Sequence, residues 1–188
     1  MPGTKPPRII AGTAKNKKLQ SLPGFATRPL LGRIKKSLFD ILAPRIEGSS
    51  FLDLYAGIGN VGIEALSRGS DRALFIDNSR DSIDVIKQNI AHCGFTEKAK
   101  LIKADIIANF PKLSEKFDII FIGPPYKLNL TQKTIDIISE RDILSPDGII
   151  VAQHHIRELV PEEIGKYRLF RKKEYSDTRL SFFERGEQ

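Results

Sequence analysis

Phe51-Leu52-Asp53-Leu54-Tyr55 runs straight into Ala56-Gly57-Ile58-Gly59-Asn60-Val61-Gly62, and this passage restricts the fold more than any other. A strand-length apolar run, closely spaced glycines and then helix-forming sequence reads as a buried strand, a tight turn and a helix start. The pattern repeats. Asn60 to Arg68 is expected as a helix, Ala73 to Asp77 as a strand, and Asp81 to His92 as a helix with Ile83, Ile86 and Ile90 on one face and Gly94 beyond its end. Lys100 to Lys103, Phe117 to Ile122 and Gly148 to Ala152 are further strands, with a helix at Thr131 to Arg141. Such alternation specifies an α/β protein whose mostly parallel sheet is covered on both faces. Tyr167 to Arg171 and Leu180 to Phe183 have no long helix between them, so an antiparallel edge hairpin is expected at the C-terminus.

The first 50 residues differ in texture. Arg8 to Gly12 and Lys17 to Leu19 are strand-like pieces around a turn, which predicts a small hairpin. Leu31, Ile34, Leu38, Ile41 and Leu42 then recur at helical spacing, with Pro44 closing the run. The division expected is a basic N-terminal hairpin and helix at 1–48 and a larger α/β domain at 49–188. Residues 1–50 carry ten basic side chains against two acidic ones, net +8, whereas the remainder holds 20 basic and 21 acidic residues. A basic segment on a near-neutral body suits a polyanion, because Lys and Arg that neutralise phosphates release counterions. Cys93 is the lone cysteine, so an internal disulfide is excluded, and no Cys/His cluster has zinc-site spacing. No apolar run approaches membrane-helix length and the start lacks a signal-peptide stretch, so a cytoplasmic location is expected.

The glycine loop between strand and helix is the place for a nucleotide-like ligand. Gly57 and Gly59 let the backbone approach closely, and the helix start offers unpaired N–H groups. Asp77 closes the second strand 20 residues after Gly57, where a carboxylate can accept from both ribose hydroxyls of an adenosine. This much fits a dinucleotide as well as S-adenosylmethionine. Asp53, at the end of the first strand, favours the latter, since a carboxylate suits a cationic amino-acid portion and is unfavourable beside a pyrophosphate. Asp105 could accept from an adenine amino group with Ile106 against the ring, or could simply cap a helix. Tyr55, Ala56 and Asn78 complete the candidate cofactor contacts.

Ile122-Gly123-Pro124-Pro125-Tyr126 follows the fourth strand at its carboxyl end, where open α/β sheets place ligands. The prolines stiffen the backbone. Methylating an exocyclic amine requires that nitrogen to be held by acceptors with its lone pair toward the methyl group, and a rigid carbonyl followed by an aromatic surface provides such a grip. Tyr126 would stack on an unpaired or flipped base.

Taken together, Arg8 to Gly12, Arg28-Pro29 with Arg33, Leu38-Phe39, Asp53 through Gly62, Glu64-Ala65-Leu66-Ser67-Arg68-Gly69 and Pro124-Pro125-Tyr126 resemble the RsmD family over nearly the whole chain. The resemblance implies a Rossmann-like S-adenosylmethionine-dependent methyltransferase fold with a small N-terminal hairpin. It further implies methylation of the exocyclic amino group of a guanine in 16S ribosomal RNA, within the small subunit or its 30S particle. Gly123, Pro124, Pro125 and Tyr126 are then the catalytic candidates, and Arg28, Arg33, Lys35 and Lys36 those for RNA phosphates. Three positions depart from the family: Gly123 stands where Asp or Asn precedes Pro-Pro, Lys36 where an acid is usual, and Leu30 where Thr commonly follows Arg-Pro. Gly123 removes a side-chain acceptor for the target amine, worth about 2.7 to 4 kcal/mol by analogy with deleted oxyanion donors.

Two alternatives stay open: an RNA-binding factor that has lost turnover through Gly123, and a nicotinamide-dependent dehydrogenase, which leaves Pro-Pro-Tyr unexplained. His154 and His155 are adjacent on a strand end, point to opposite faces and receive no role. There is no Gly-x-Ser-x-Gly elbow. Asp177 and Thr178 are assigned to a turn. A monomer without metal is expected.

Overall fold

The computed structural model describes residues 6–22, 32–126 and 128–186. Arg28, Leu30 and the start of the expected first helix lie outside these. The elements are α1 (Gly32–Ile46), β1 (Ser50–Leu54), α2 (Asn60–Ser67), β2 (Arg72–Asp77), α3 (Arg80–Cys93), β3 (Ala99–Lys103), β4 (Phe117–Ile122), α4 (Thr131–Arg141), β5 (Leu144–His155), β6 (Glu163–Ile164), β7 (Tyr167–Tyr175) and β8 (Thr178–Arg185). One eight-stranded sheet runs in the order β3-β2-β1-β4-β5-β8-β7-β6. The run from β3 to β5 is parallel, and β8, β7 and β6 are added antiparallel.

The central strands read as apolar runs because both of their faces are buried. All five residues of β1 are buried. Phe51 joins a core with Ile34 and Leu38 of α1, Ile63 of α2 and Ile86 of α3. Its neighbours Leu52 and Leu54 join a second core with Ile135 and Ile138 of α4. Three helices therefore cover one face and α4 the other. The strand order reverses between β1 and β4, so the loops after these strands diverge and leave a crevice at the carboxyl ends.

Several sequence expectations are revised. The helix does not close at Pro44 but continues to Ile46. Proline forfeits only one N–H in the last turn, while burial of Leu42 and Ile46 holds that turn in place. The N-terminal hairpin is short: the Arg8–Lys18 antiparallel bridge, with the Ile9 N–H on the Lys17 carbonyl (3.0 Å) and the Leu19 N–H on the Pro7 carbonyl (2.8 Å), closes around a turn with Asn16 at φ 71°. β5 begins at Leu144 rather than Gly148, since a register shift between Phe117 and Ile119 lets β4 pair across Pro146 and Gly148. β7 runs to Tyr175, and the two-residue β6 was not anticipated.

Glu64, fully buried in α2, explains why its stretch of sequence is so distinctive. One carboxylate oxygen accepts from the Ile10 N–H (2.8 Å) and faces Lys35 Nζ (2.9 Å); the other accepts from the Ala11 N–H (3.0 Å) and Arg68 Nε (2.8 Å). Ser67 adds a hydroxyl bond to the Ala11 carbonyl at 2.6 Å and accepts from the Ala14 N–H at 3.0 Å. Gly12 has φ +82° and a Cβ there would lie 1.7 Å from the Ser67 carbonyl oxygen, so no side chain fits between the segment and α2. The expected phosphate contact of Lys35 is thereby corrected. Only 1% exposed, Lys35 reaches inward to Glu64, to Asn60 Oδ1 (2.8 Å) and to the Arg8 carbonyl (2.7 Å). Burial lowers its pKa, and the Glu64 carboxylate opposes that shift.

Candidate active site

The crevice above β1 and β4 is a cavity of about 1250 Å³. Its walls bring together Asp53 of β1 with Tyr55, Ala56 and Gly57 just after it, Asp77 at the end of β2 with Asn78, and Asp105 and Ile106 after β3. Gly123, Pro124, Pro125 and Tyr126 after β4 face the same space. Residues singled out at four separate places in the chain thus meet in one volume.

The glycine loop has the conformation that its composition implies. Tyr55, Gly57 and Gly59 have φ of 61°, 60° and 78°. A Cβ on Gly57 would meet nothing within 4 Å, so the bare backbone there borders open space that a ligand can enter. Gly59 is the exception among the expected contacts. It does not line the cavity but starts α2, where a Cβ would come within 3.0 Å of Ile63 Cδ1. Gly62 seats α2 on the sheet: a Cβ would stand 2.4 Å from the Phe75 ring.

Asp77, Asp105 and Asp53 reach the cavity with different hydrogen-bond partners. Asp77 accepts from the Gly57 N–H through Oδ2 (2.8 Å) and from the Ser79 N–H through Oδ1 (2.9 Å), which locks strand β2 to the loop. Each oxygen retains a lone pair. Asp105 Oδ1 caps a turn by accepting from the Ile107 and Ala108 N–H groups at 2.9 and 2.8 Å, and the residue also lines the cavity. Asp53 is 2% exposed and, among the described residues, accepts only the Gly62 N–H, at 2.8 Å. Burial pushes its pKa up to about 8, against the lowering effect of that bond, and nearby Asp77 raises it further.

At the opposite end, Tyr126 is half-buried and its ring meets His155 edge-on at 6.0 Å between centroids. Sequence reading missed three residues here. Gln153, His155 and Asp177 also line the cavity. His155 accepts the Arg157 N–H on Nδ1 (3.1 Å), whereas His154 is buried against Ser181 Oγ (2.8 Å). The alternation of their side chains was legible, but the one facing the ligand space was not assigned. On α1, Arg33 and Lys36 are exposed, Lys36 in an i,i+4 pair with Asp40 at 2.7 Å. Among the described residues no His/Cys/Asp/Glu group could hold a metal, and no helix is long and apolar enough to cross a membrane.

The model of the family described as Conserved hypothetical protein 95 matches residues 7–184 of this chain. The chain belongs to the RsmD family. YlbH of Bacillus subtilis is 33% identical over 181 residues, 95% of this chain and 98% of YlbH. The Haemophilus influenzae protein named ribosomal RNA small subunit methyltransferase D is 33% identical over 150 residues, 78% of this chain and 77% of that one. The solved structure of yhhF from Escherichia coli superposes with a TM-score of 0.85 at 26% identity, covering 96% of this chain and 98% of the other. The Rossmann-like methyltransferase architecture expected from the RsmD motifs is the one observed.

Proposed function

We propose that this chain transfers a methyl group from S-adenosylmethionine to the exocyclic amino group of a guanine in small-subunit (16S) ribosomal RNA. The observation that carries this reading is the single cavity that has a nucleoside-binding loop at one end and the Gly123 to Tyr126 shelf at the other.

The donor's fit follows from the residues present. The open backbone at Gly57, the lone pairs remaining on Asp77 and Asp105, and the apolar Ile106 suit a loop-bound adenosine. Asp53 suits the cationic amino-acid portion. The bound sulfonium supplies an activated methyl group, and the protein's part is positional: Asp77 and the loop orient the nucleoside, Pro124 and Pro125 fix the shelf, and Tyr126 offers an aromatic surface on which the base stacks. Segment 1–48 serves as the RNA-contacting extension, with Arg33 and Lys36 turned outward to phosphate. A second reading, a binding factor without turnover, draws on the missing side chain at Gly123. A Gly123→Asp variant that gains activity over an inert parent would select it.

Titration with S-adenosylmethionine is expected to saturate, and titration with a nicotinamide dinucleotide to show no binding; the reverse would select a dehydrogenase. The same calorimetry reads Asp53. With its pKa near 8 in the free protein, Asp53 is mostly protonated at pH 7. A cationic group beside it favours the charged form, so donor binding should release up to one proton, visible as a dependence of the heat on buffer ionisation enthalpy. Its raised pKa gives the free protein stability at low pH that is lost as pH rises through about 8. The bound cation offsets this loss, so the donor-induced thermal shift should be larger at pH 8.5 than at pH 6. A shift independent of pH, with no proton released, would remove Asp53 from the donor site.

A further inference from the structure

The β4–β5 register pairs Ile122 with Ala152, so Gly123, the first residue past β4, comes beside Gln153 of β5, which still pairs with Leu180 of β8. Both line the cavity. Position 123 offers no side chain, and a Cβ there would come within 3.0 Å of the Phe121 ring, which must shift to admit one. The adjacent strand presents an amide instead.

Gln153 Nε2 donates to the Tyr126 hydroxyl oxygen at 2.6 Å, that hydroxyl lies 3.0 Å from Thr178 Oγ1, and Thr178 Oγ1 donates to Asp177 Oδ1 at 3.2 Å. The direction of this relay is set at its acidic end. A carboxylate only accepts, so the Thr178 proton is committed to Asp177 and its oxygen is left to accept from Tyr126. The Tyr126 proton is committed in turn, and its oxygen accepts from Gln153. The amide nitrogen is therefore held against Tyr126, and the carbonyl oxygen Oε1 is the end turned away from it, on a half-buried side chain that borders the cavity.

Resting on the methyltransferase reading above, we propose that Gln153 Oε1 is the acceptor that holds the target amino group, taking over the place of the side chain absent at position 123. Asp177, through Thr178 and Tyr126, is the positioning residue that fixes the amide's orientation. The amine N–H donates to Oε1, which leaves the nitrogen lone pair free to face the methyl group. The lone pair bonds to the methyl carbon as the carbon–sulfur bond breaks toward sulfur, giving a thioether. The surplus proton on nitrogen leaves to water, because an amide oxygen is too weak a base to keep it. The assignment of Asp177 and Thr178 to a turn alone is extended accordingly: they close the β7–β8 hairpin and anchor the relay.

The test is methyl transfer to undermethylated small subunits, with kcat, KM and donor affinity measured separately. Gln153→Ala should lower kcat by about 100-fold or more, the size seen when one preorganised hydrogen-bond partner is removed, and leave KM and donor affinity within about threefold. Gln153→Glu keeps an acceptor and should retain kcat within about tenfold of the parent. Asp177→Asn, which lets the relay reverse, should lower kcat by roughly tenfold. Adding Gly123→Asp to Gln153→Ala should restore at least about tenfold of the loss. An active parent with Gln153→Ala within about threefold of it, or with the Ala and Glu variants equally inactive, would overturn the role of Gln153 while sparing the function. A parent that binds the donor and transfers nothing would overturn both.

Discussion

Glu64→Ala is expected to destabilise the fold by about 3 to 5 kcal/mol, the cost of removing one partner of a buried ion pair. Glu64 is fully buried and compensates Lys35, itself 1% exposed, while accepting the Ile10 and Ala11 N–H groups. Alanine would strand a buried ammonium and two backbone donors together. For a domain of this size the midpoint of thermal unfolding should fall by roughly 10 °C. The double variant Glu64→Ala/Lys35→Met should recover part of the loss, because the uncompensated charge goes with the lysine. A drop below about 1 kcal/mol would contradict the view that this pair fastens the N-terminal segment to α2.

Asp77→Ala is expected to weaken S-adenosylmethionine binding by about 100-fold or more. Each hydrogen bond from a ribose hydroxyl to a carboxylate contributes about 1.5 to 3 kcal/mol, and two are lost together. The glycine loop also loses its tie, since Asp77 holds the Gly57 N–H at 2.8 Å. Calorimetric titration with a thermal melt of the free variant separates lost contacts from lost fold. A loss of less than about fivefold in a folded variant would place the ribose elsewhere.

The body of the fold was legible because parallel strands buried on both faces leave an unmistakable trace. Phe117 to Ile122 and Thr131 to Arg141 were bounded from sequence as the structure has them. The glycine loop and Asp77 could be placed because their chemistry depends on short spacings along the chain. What could not be seen depends on partners distant in sequence. Lys35 looked like one more cation in a basic stretch, and only its meeting with Glu64 and Asn60 turns it inward. Gln153 carries no motif; its place beside Gly123 follows from strand register, and its bond to Tyr126 spans 27 positions. Asp177 lies in a hairpin turn, and the route of β8 back beside β5 is what brings it to the cavity. The small turn of the N-terminus was legible from its strand-like pieces, but its docking on α2 through Glu64 and Ser67 was not, because those partners lie more than 50 positions away.

The most direct measurement of the central claim uses donor labelled in its methyl group and small ribosomal subunits that lack the modification. After incubation with the purified chain, the RNA is digested to nucleosides and the label is located. The label should appear in 16S RNA as N2-methylguanosine, at one site per particle. Label recovered in another nucleoside, or no label despite saturable donor binding, would contradict it.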